Sequence, residues 1–279
     1  MLNFSFHSLF TVDDVQKKTQ AKWSKILTSI PVLCSLITKM CSGFGYFLLL
    51  TKMPSYLSII FGIDLFSNGT VNGAATLAHG VCGLLAAPFS NWIIKRFQIR
   101  SIIVRKVFQS VAMIGPALCL LIITFLGCNS TGAIVLLIVA MLVYGCFTGG
   151  EWSTISEYAP NSAGTVFGFA NILAFASGVF SPYLVGIVLD SESGGSGLEQ
   201  WNLIFYITVG VYVFGAVIFI VFGTDQQQQW DKMTEVMTVT SDRSTNHHDD
   251  HIISNIYIGS KDVLDFDKLK ANKTYGTNS

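Results

Sequence analysis

The chain has 279 residues, of which 51% are hydrophobic and only 12% are charged. The charged share is about half that of an ordinary soluble domain, and the mean hydropathy is +0.54. This composition excludes a water-soluble globular domain, and the apolar content excludes a chain that is mainly disordered. The 17 basic and 17 acidic residues balance, so the basic excess of a nucleic-acid-binding protein is missing. The composition indicates a multi-span membrane protein, with the lipid bilayer as its environment.

Six apolar stretches predict an all-α membrane protein with six transmembrane helices. A helix needs about 20 apolar residues to cross a bilayer, whereas a barrel strand needs about 10. The predicted spans are residues 30–50, 68–94, 104–126, 132–156, 163–189 and 203–222. Strands with an open edge are not expected, because their backbone groups would be unpaired in lipid.

The Lys and Arg residues predict the orientation of these spans, because basic residues concentrate in cytoplasmic loops. Basic residues precede span one, lie between spans two and three, and follow span six; they include Lys17, Lys18, Lys22, Lys25, Lys95, Arg96, Arg100, Arg105, Lys106 and Lys232. The alternate loops hold only Lys52, which we assign to the loop after span one. We therefore expect a cytoplasmic N-terminal segment (1–25), a six-helix bundle (26–224) and a disordered cytoplasmic tail (225–279).

The Trp, Cys and His residues give weaker evidence about structure and function than the apolar stretches and the basic residues. All five Trp residues (23, 92, 152, 201 and 230) fall near predicted span ends, where an indole ring favours the headgroup region. The six Cys residues show no CxxC spacing, so we predict neither a disulfide framework nor a metal site. The His247, His248 and His251 cluster is a weak metal-binding candidate, and a solvated tail explains it better. We predict no cofactor.

Five segments, in order, resemble the second half of a known transporter family. They are residues 23–32 (WSKILTSIPV), 44–56 (FGYFLLLTKMPSY), 104–119 (VRKVF, then GPALC), 157–171 (EYAPNSAG, then Gly168 and Asn171) and 205–223 (FY, FGA, FG). Together they are similar to the major facilitator superfamily anion transporters that include sialin, the vesicular glutamate transporters and the sodium–phosphate cotransporters.

This resemblance implies half of a twelve-helix fold, made of two inverted three-helix repeats. It implies a transporter of organic or inorganic anions, coupled to H⁺ or Na⁺, that works by alternating access. It also implies a small anionic substrate, a missing N-terminal six-helix half, and a plasma membrane or a vesicle or lysosome membrane. An enzyme is not expected, since the chain has no GxSxG, HExxH or P-loop motif.

Lys39 is the leading candidate for substrate binding. A Lys at the centre of a membrane helix costs about 2.5–3.5 kcal/mol, so it must face a polar interior, find a partner or snorkel to the interface. The family typically has His or Asn here, and often a charged or polar residue three positions on, where this chain has Ser42. Asn171 is the third candidate, as a cavity-lining amide or a helix–helix contact.

Four further residues are candidates for coupling or gating. Glu151 follows Gly149 and Gly150, and it either couples to a cation or lies at the cytoplasmic mouth. His79 either relays a proton or makes a structural hydrogen bond between helices. Glu157 stands where the family carries Asp, and we expect it to form a gate or loop salt bridge with Arg105 or Lys106.

The superfamily also has an acidic residue in the basic loop after the second of these spans, and this chain has Asn91 there. We expect the loss of that carboxylate to weaken the charge network at this end of the bundle.

A non-transporting protein is the alternative. Six spans without the first half are also consistent with a truncated product or a partner that modulates full-length transporters. A seven-span receptor is disfavoured by the even number of spans, and a channel by the lack of a filter segment or repeated gating charges.

Overall fold

The computed structural model describes residues 26–127, 129–190 and 197–232. The helices in this part of the chain are α1 (Ile30–Phe61), α2 (Leu65–Phe97), α3 (Ser101–Leu126), α4 (Ser130–Tyr144), α5 (Glu151–Tyr158), α6 (Ala163–Asp190) and α7 (Gly197–Phe222), with a 3-10 segment at Gly145–Gly149 between α4 and α5. The predicted segment 1–25, the basic residues within it, Trp23, Cys128 and the His247–His251 cluster lie outside the described residues.

The predicted all-helical, six-span architecture is confirmed. Six helical segments within the described ranges are long and apolar enough to cross a membrane. Five of them are the single helices α1, α2, α3, α6 and α7. The fourth, Ser130–Tyr158, is a broken span made of α4, the 3-10 segment and α5.

The end of the first span differs from the prediction. Helix α1 continues through Pro54 to Phe61, so the assignment of Lys52 to a loop is wrong. The polar pair Thr51-Lys52 and Pro54 suggest a helix end in the sequence, but Met53, Tyr56 and Leu57 are all buried. Their i, i+3, i+4 spacing keeps one apolar face packed against the bundle. The helix ends at Gly62, whose φ of 64° is left-handed and favours glycine.

The helix packing follows the pattern of two related three-span units. Span one packs mainly on spans five and six, span four packs mainly on spans two and three, and spans three and six pack on each other. If spans one, two and three are renamed four, five and six, and the reverse, the list of packed pairs stays the same. Because span four runs opposite to span one, this pairing is that of an inverted repeat.

An aromatic cluster joins α1 to α7 at the end of the bundle opposite the α2–α3 loop. The Tyr56 ring lies 5.2 Å from Trp201 and 5.0 Å from Phe205, both in edge-to-face geometry. Trp201 is completely buried, so the prediction that it faces the headgroup region is wrong. Such ring pairs contribute about 0.5–1.5 kcal/mol each beyond their burial, which fixes α7 against the extended α1.

The opposite end, which we call the basic end, is where α2 meets α3 through Lys95, Arg96 and Arg100. Residues after α7 also pack here. Asp225 accepts a hydrogen bond from the Ile102 N–H at 3.1 Å, and the Gln228 N–H donates to the Tyr158 carbonyl at 3.0 Å. The compact unit therefore extends to Asp231, beyond the predicted boundary at 224, and the rest of the predicted tail lies outside the described residues.

Candidate functional site

Lys39 lies inside the bundle, in the first third of α1, with only 6% of its surface exposed. Its Nζ atom is 4.6 Å from the centroid of the Phe147 ring and 4.7 Å from that of Trp152. Rings at this distance attract a cation through their negative faces, by about 2 kcal/mol when the site is desolvated. The ammonium is therefore retained inside the bundle and does not snorkel to an interface.

Trp152 forms the outer wall of this site. It is 40% exposed, and its ring is 4.8 Å from that of Phe167 on α6. The residue lies at the start of α5, in the last third of the fourth span. Its position beside Lys39 means that a ligand approaching the ammonium from the open surface meets this ring first.

Glu151 is the second buried charged residue of the site. It is completely buried, and neither carboxylate oxygen has a hydrogen-bond partner. Its N–H donates to Gln109 Oε1 at 3.0 Å, and its carboxylate interacts electrostatically with Lys39 without a direct ion pair. Because its burial is complete, Glu151 does not lie at an exposed mouth of the bundle.

Glycines explain how Glu151 comes to this place. A Cβ on Gly145 would lie 2.7 Å from the His79 carbonyl oxygen, and a Cβ on Gly150 would lie 2.7 Å from the Gln109 backbone nitrogen. These approaches let the 3-10 segment lie directly on α2 and α3. Breaks of this kind in a span are tolerated where the backbone is buried in protein. The break starts a new helix at Glu151, close to Lys39.

Ser42 and Asn171 contribute less to the geometry than predicted. The buried Ser42 hydroxyl donates to the Lys39 carbonyl at 3.1 Å, so it is used within α1. Asn171 is half-buried on α6, and its amide makes no hydrogen bond to the described residues. Of the three predicted substrate-binding residues, Lys39 supplies the charged group, which is buried behind the partly exposed Trp152 ring.

His79 belongs to an aromatic stack. Its ring lies 5.3 Å from Tyr144 and 5.9 Å from Phe147, at interplanar angles of 25° and 11°. Tyr46 of α1 closes the stack, 5.1 Å from His79. The predicted hydrogen bond is not made by Nδ1, which has no partner, and the stack connects α2 to the ring that holds Lys39.

Arg105 and Glu157 form the predicted ion pair at the basic end. Arg105 Nη2 lies 2.6 Å from Glu157 Oε1, and Nε lies 3.0 Å from the same oxygen. The Ser101 hydroxyl is within 2.8 Å of both Glu157 oxygens. Only 3% of the Arg105 side chain is exposed, so the guanidinium is a buried cation neutralised by its partner.

The remaining guanidinium donors bind three neutral acceptors. Arg105 Nη1 donates to Ser90 Oγ at 2.6 Å and to the Gly149 carbonyl at 3.1 Å, and Nη2 donates to Asn91 Oδ1 at 2.6 Å. Asn91 therefore takes part in the network as a neutral acceptor. A pocket of about 380 Å³ opens beside this group and is lined by Asn91, Lys95, Ser101, Arg105, Glu157 and Asp225.

The two groups of residues are connected along the fourth span. Arg105 holds the Gly149 carbonyl, and Glu151 begins α5 two residues later. Two contacts were not predicted from the sequence. They are the contact of Lys39 with the Phe147 and Trp152 rings and the hydrogen bond from the Glu151 N–H to Gln109. The run of glycines at 145, 149 and 150 is the available signal, because it marks a break in an otherwise apolar span.

Comparisons with known proteins agree with this architecture. The sequence model of the Major Facilitator Superfamily matches residues 8–182. Human sialin is 25% identical over 218 residues, which are 78% of this chain and 43% of sialin. Mouse sodium-dependent phosphate transport protein 3 is 25% identical over 66% of this chain and 38% of its own length. A rice protein named probable anion transporter 4, chloroplastic, is 28% identical over 75% of this chain and 34% of its own length. The chain thus spans less than half the length of these relatives.

Proposed function

The chain belongs to the Major Facilitator Superfamily, and we propose that it forms the Lys39-containing half of a transporter for small anions. It is an integral multi-pass membrane protein whose relatives are transporters. We propose that it moves an organic or inorganic anion by alternating access, coupled to H⁺ or Na⁺. The observation that carries the proposal is the buried Lys39 ammonium, which contacts two aromatic rings and no carboxylate.

Lys39 supports anion binding because it is the most costly residue of α1 to keep in a membrane. The rings of Phe147 and Trp152 stabilise the cation but leave its three N–H donors without a carboxylate in direct contact. An anionic substrate would supply the missing acceptor, and hydrogen bonds between charged groups contribute about 1.5–3 kcal/mol.

A second six-helix unit is the proposed partner. Helix α2 is the least buried span, and Gly69, Gly73 and Gly80 on it meet nothing within 4 Å. Small residues on an open helix face allow close contact with another helix in a membrane. The proposal agrees with relatives more than twice the length of the matched region.

We further propose that the basic end faces the cytoplasm, because Lys95, Arg96 and Arg100 lie there. Both ends of the six-span unit would then be cytoplasmic. The membrane is the plasma membrane or that of a vesicle or lysosome.

Uptake by proteoliposomes in which the full chain is assembled with its second six-helix unit tests the proposal. The probes are labelled inorganic phosphate and benzenesulfonate, and the variant is Lys39→Ala. Lys52→Ala is the matched control, because it removes a lysine from the same helix but away from the two rings. We expect uptake to fall at least about tenfold in Lys39→Ala, because a loss of about 1.4 kcal/mol of binding free energy is a tenfold effect. Uptake by Lys52→Ala should stay unchanged. Equal uptake by Lys39→Ala and the wild type would refute the assignment.

The alternative function is that of a non-transporting membrane protein. In that function the chain would bind a full-length transporter through α2 and change its rate. Proteoliposomes that contain the chain would then bind a probe anion without accumulating it.

A further inference from the structure

We infer that Glu151 is the proton-binding residue of the proposed transporter, and that its protonation frees the charge of Lys39 for the anion. The inference rests on the proposed function and specifies the coupling ion and its site. It is carried by the location of an unpartnered buried carboxylate beside a buried ammonium.

The first step concerns the carboxylate itself. Both Glu151 oxygens are buried without a hydrogen bond, whereas buried charged groups are ordinarily paired and fully hydrogen-bonded. Lys39 and the N-terminus of α5 favour the charged carboxylate, while burial without donors favours the neutral acid. Opposing influences of this kind allow a group to exchange a proton during a transport cycle.

The second step is a count of charges. With Glu151 ionised, Lys39 and Glu151 have a net charge of zero, so an anion bound there adds a buried negative charge to a low-dielectric site. With Glu151 protonated, only the positive charge of Lys39 remains, and a bound monovalent anion makes the site neutral. Burying an uncompensated charge costs several kcal/mol, so proton and anion bind preferentially together.

The other titratable or charged groups that face Glu151 do not change this count. Cys34 on α1, Tyr144 on α4 and Tyr158 on α5 interact with it electrostatically, and all three are neutral as thiol and phenols. From α3 the neutral Gln109 contacts Glu151, and Arg105 is already neutralised by Glu157. His79 on α2 stacks on Tyr144 and Phe147.

The same surroundings favour H⁺ over a metal cation. Hard cations bind through several oxygen ligands, and the Glu151 carboxylate has no hydrogen-bond partner among the described residues. No group of three or more His, Cys, Asp or Glu side chains that could hold a metal ion gathers within the described ranges. A proton needs only one carboxylate oxygen.

Proton uptake on anion binding tests the inference. The purified full chain in nanodiscs is titrated with benzenesulfonate in weakly buffered solution, because this anion does not itself exchange protons near neutral pH. We expect uptake of about one proton per bound anion at a pH where Glu151 is ionised, since linkage between two ligands is reciprocal. We also expect anion affinity to fall by up to about tenfold for each unit of rising pH in that range.

The variant is Glu151→Gln, which keeps the shape and the neutral state of the protonated acid. Its affinity for benzenesulfonate should not change with pH, and it should take up no proton when the anion binds. Glu199→Gln is the matched control, because Glu199 lies in the exposed first turn of α7, and it should behave as the wild type.

Three results decide the question. Anion binding without proton uptake in the wild type overturns the inference and leaves the proposed function intact; this result does not depend on whether Glu151→Gln folds. Normal proton uptake by Glu151→Gln overturns it as well. A wild-type protein that binds no benzenesulfonate at any pH overturns the anion site and, with it, the inference.

Discussion

Arg105 Nη2 lies 2.6 Å from Glu157 Oε1, and this ion pair joins α3 to α5 at the basic end. The same guanidinium reaches Ser90 and Asn91 of α2 and the carbonyl of Gly149. One side chain therefore connects three of the six spans. It also holds the backbone just before Glu151, so the basic end and the Lys39 site are connected through the fourth span.

Replacing Arg105 should destabilise the bundle. Arg105→Ala leaves Glu157 without its cation and removes the donors for three neutral acceptors, and breaking a buried pair costs about 3–5 kcal/mol. We expect a clear fall in the thermal unfolding temperature of the detergent-solubilised chain. Arg96→Ala is the control, because it removes an exposed arginine from the same end. An equal effect of both substitutions would show that the network adds no stability.

Gly150→Ala should misplace Glu151 and weaken anion binding. The added Cβ would lie 2.7 Å from the Gln109 backbone nitrogen, so α5 must move away from α3. We expect benzenesulfonate affinity to fall together with stability. The control is Gly210→Ala, since Gly210 lies in α7 and has open space around its Cβ position. Alanine there should be neutral or slightly stabilising, and unchanged binding by Gly150→Ala would argue against the positioning role of the break.

The Asp64 cap gives a pH-dependent contribution to stability. Hydrogen bonds from Ser67, and from the Phe66 N–H, hold the pKa of Asp64 below its usual value. An Asp whose pKa is lower in the folded state than in the unfolded state adds stability at pH values above its unfolded pKa. This contribution is lost as the pH falls through the folded pKa. We therefore expect Asp64→Ala to lower the unfolding temperature at neutral pH and to match the wild type in acid. Asp64→Asn keeps a capping oxygen without a titrating charge, so its unfolding temperature should lack this pH dependence.

Labelling at the two ends of α2 tests the proposed orientation. Phe97 is exposed near the basic end and Leu65 at the other end of the same helix. On intact cells, a membrane-impermeant maleimide should label Leu65→Cys and spare Phe97→Cys, with both labelled after permeabilisation. Labelling of Phe97→Cys alone on intact cells would reverse the orientation.

The fold could be predicted from the sequence because membrane spans obey a simple rule of length and apolarity. The end of α1 could not, because the buried spacing of Met53, Tyr56 and Leu57 outweighs the polar residues before it. Of the two partners predicted for Glu157, Arg105 and Lys106, the structure has Arg105, and the pair could be foreseen because both residues lie next to loops at the same end. The partners of Lys39 were missed, because the contact with Phe147 and Trp152 depends on the break in the fourth span, which apolar length alone does not indicate.

Trp152 gives the most direct measurement of the central claim, that Lys39 binds an anion inside the bundle. Its ring lies 4.7 Å from the ammonium, so an anion that draws Lys39 away changes the fluorescence of this tryptophan. We predict a saturable change on adding benzenesulfonate to the purified full chain, absent in Trp152→Phe and in Lys39→Ala and present in Lys52→Ala. The same saturable change in Lys39→Ala would contradict the claim, because the anion would then bind without the lysine.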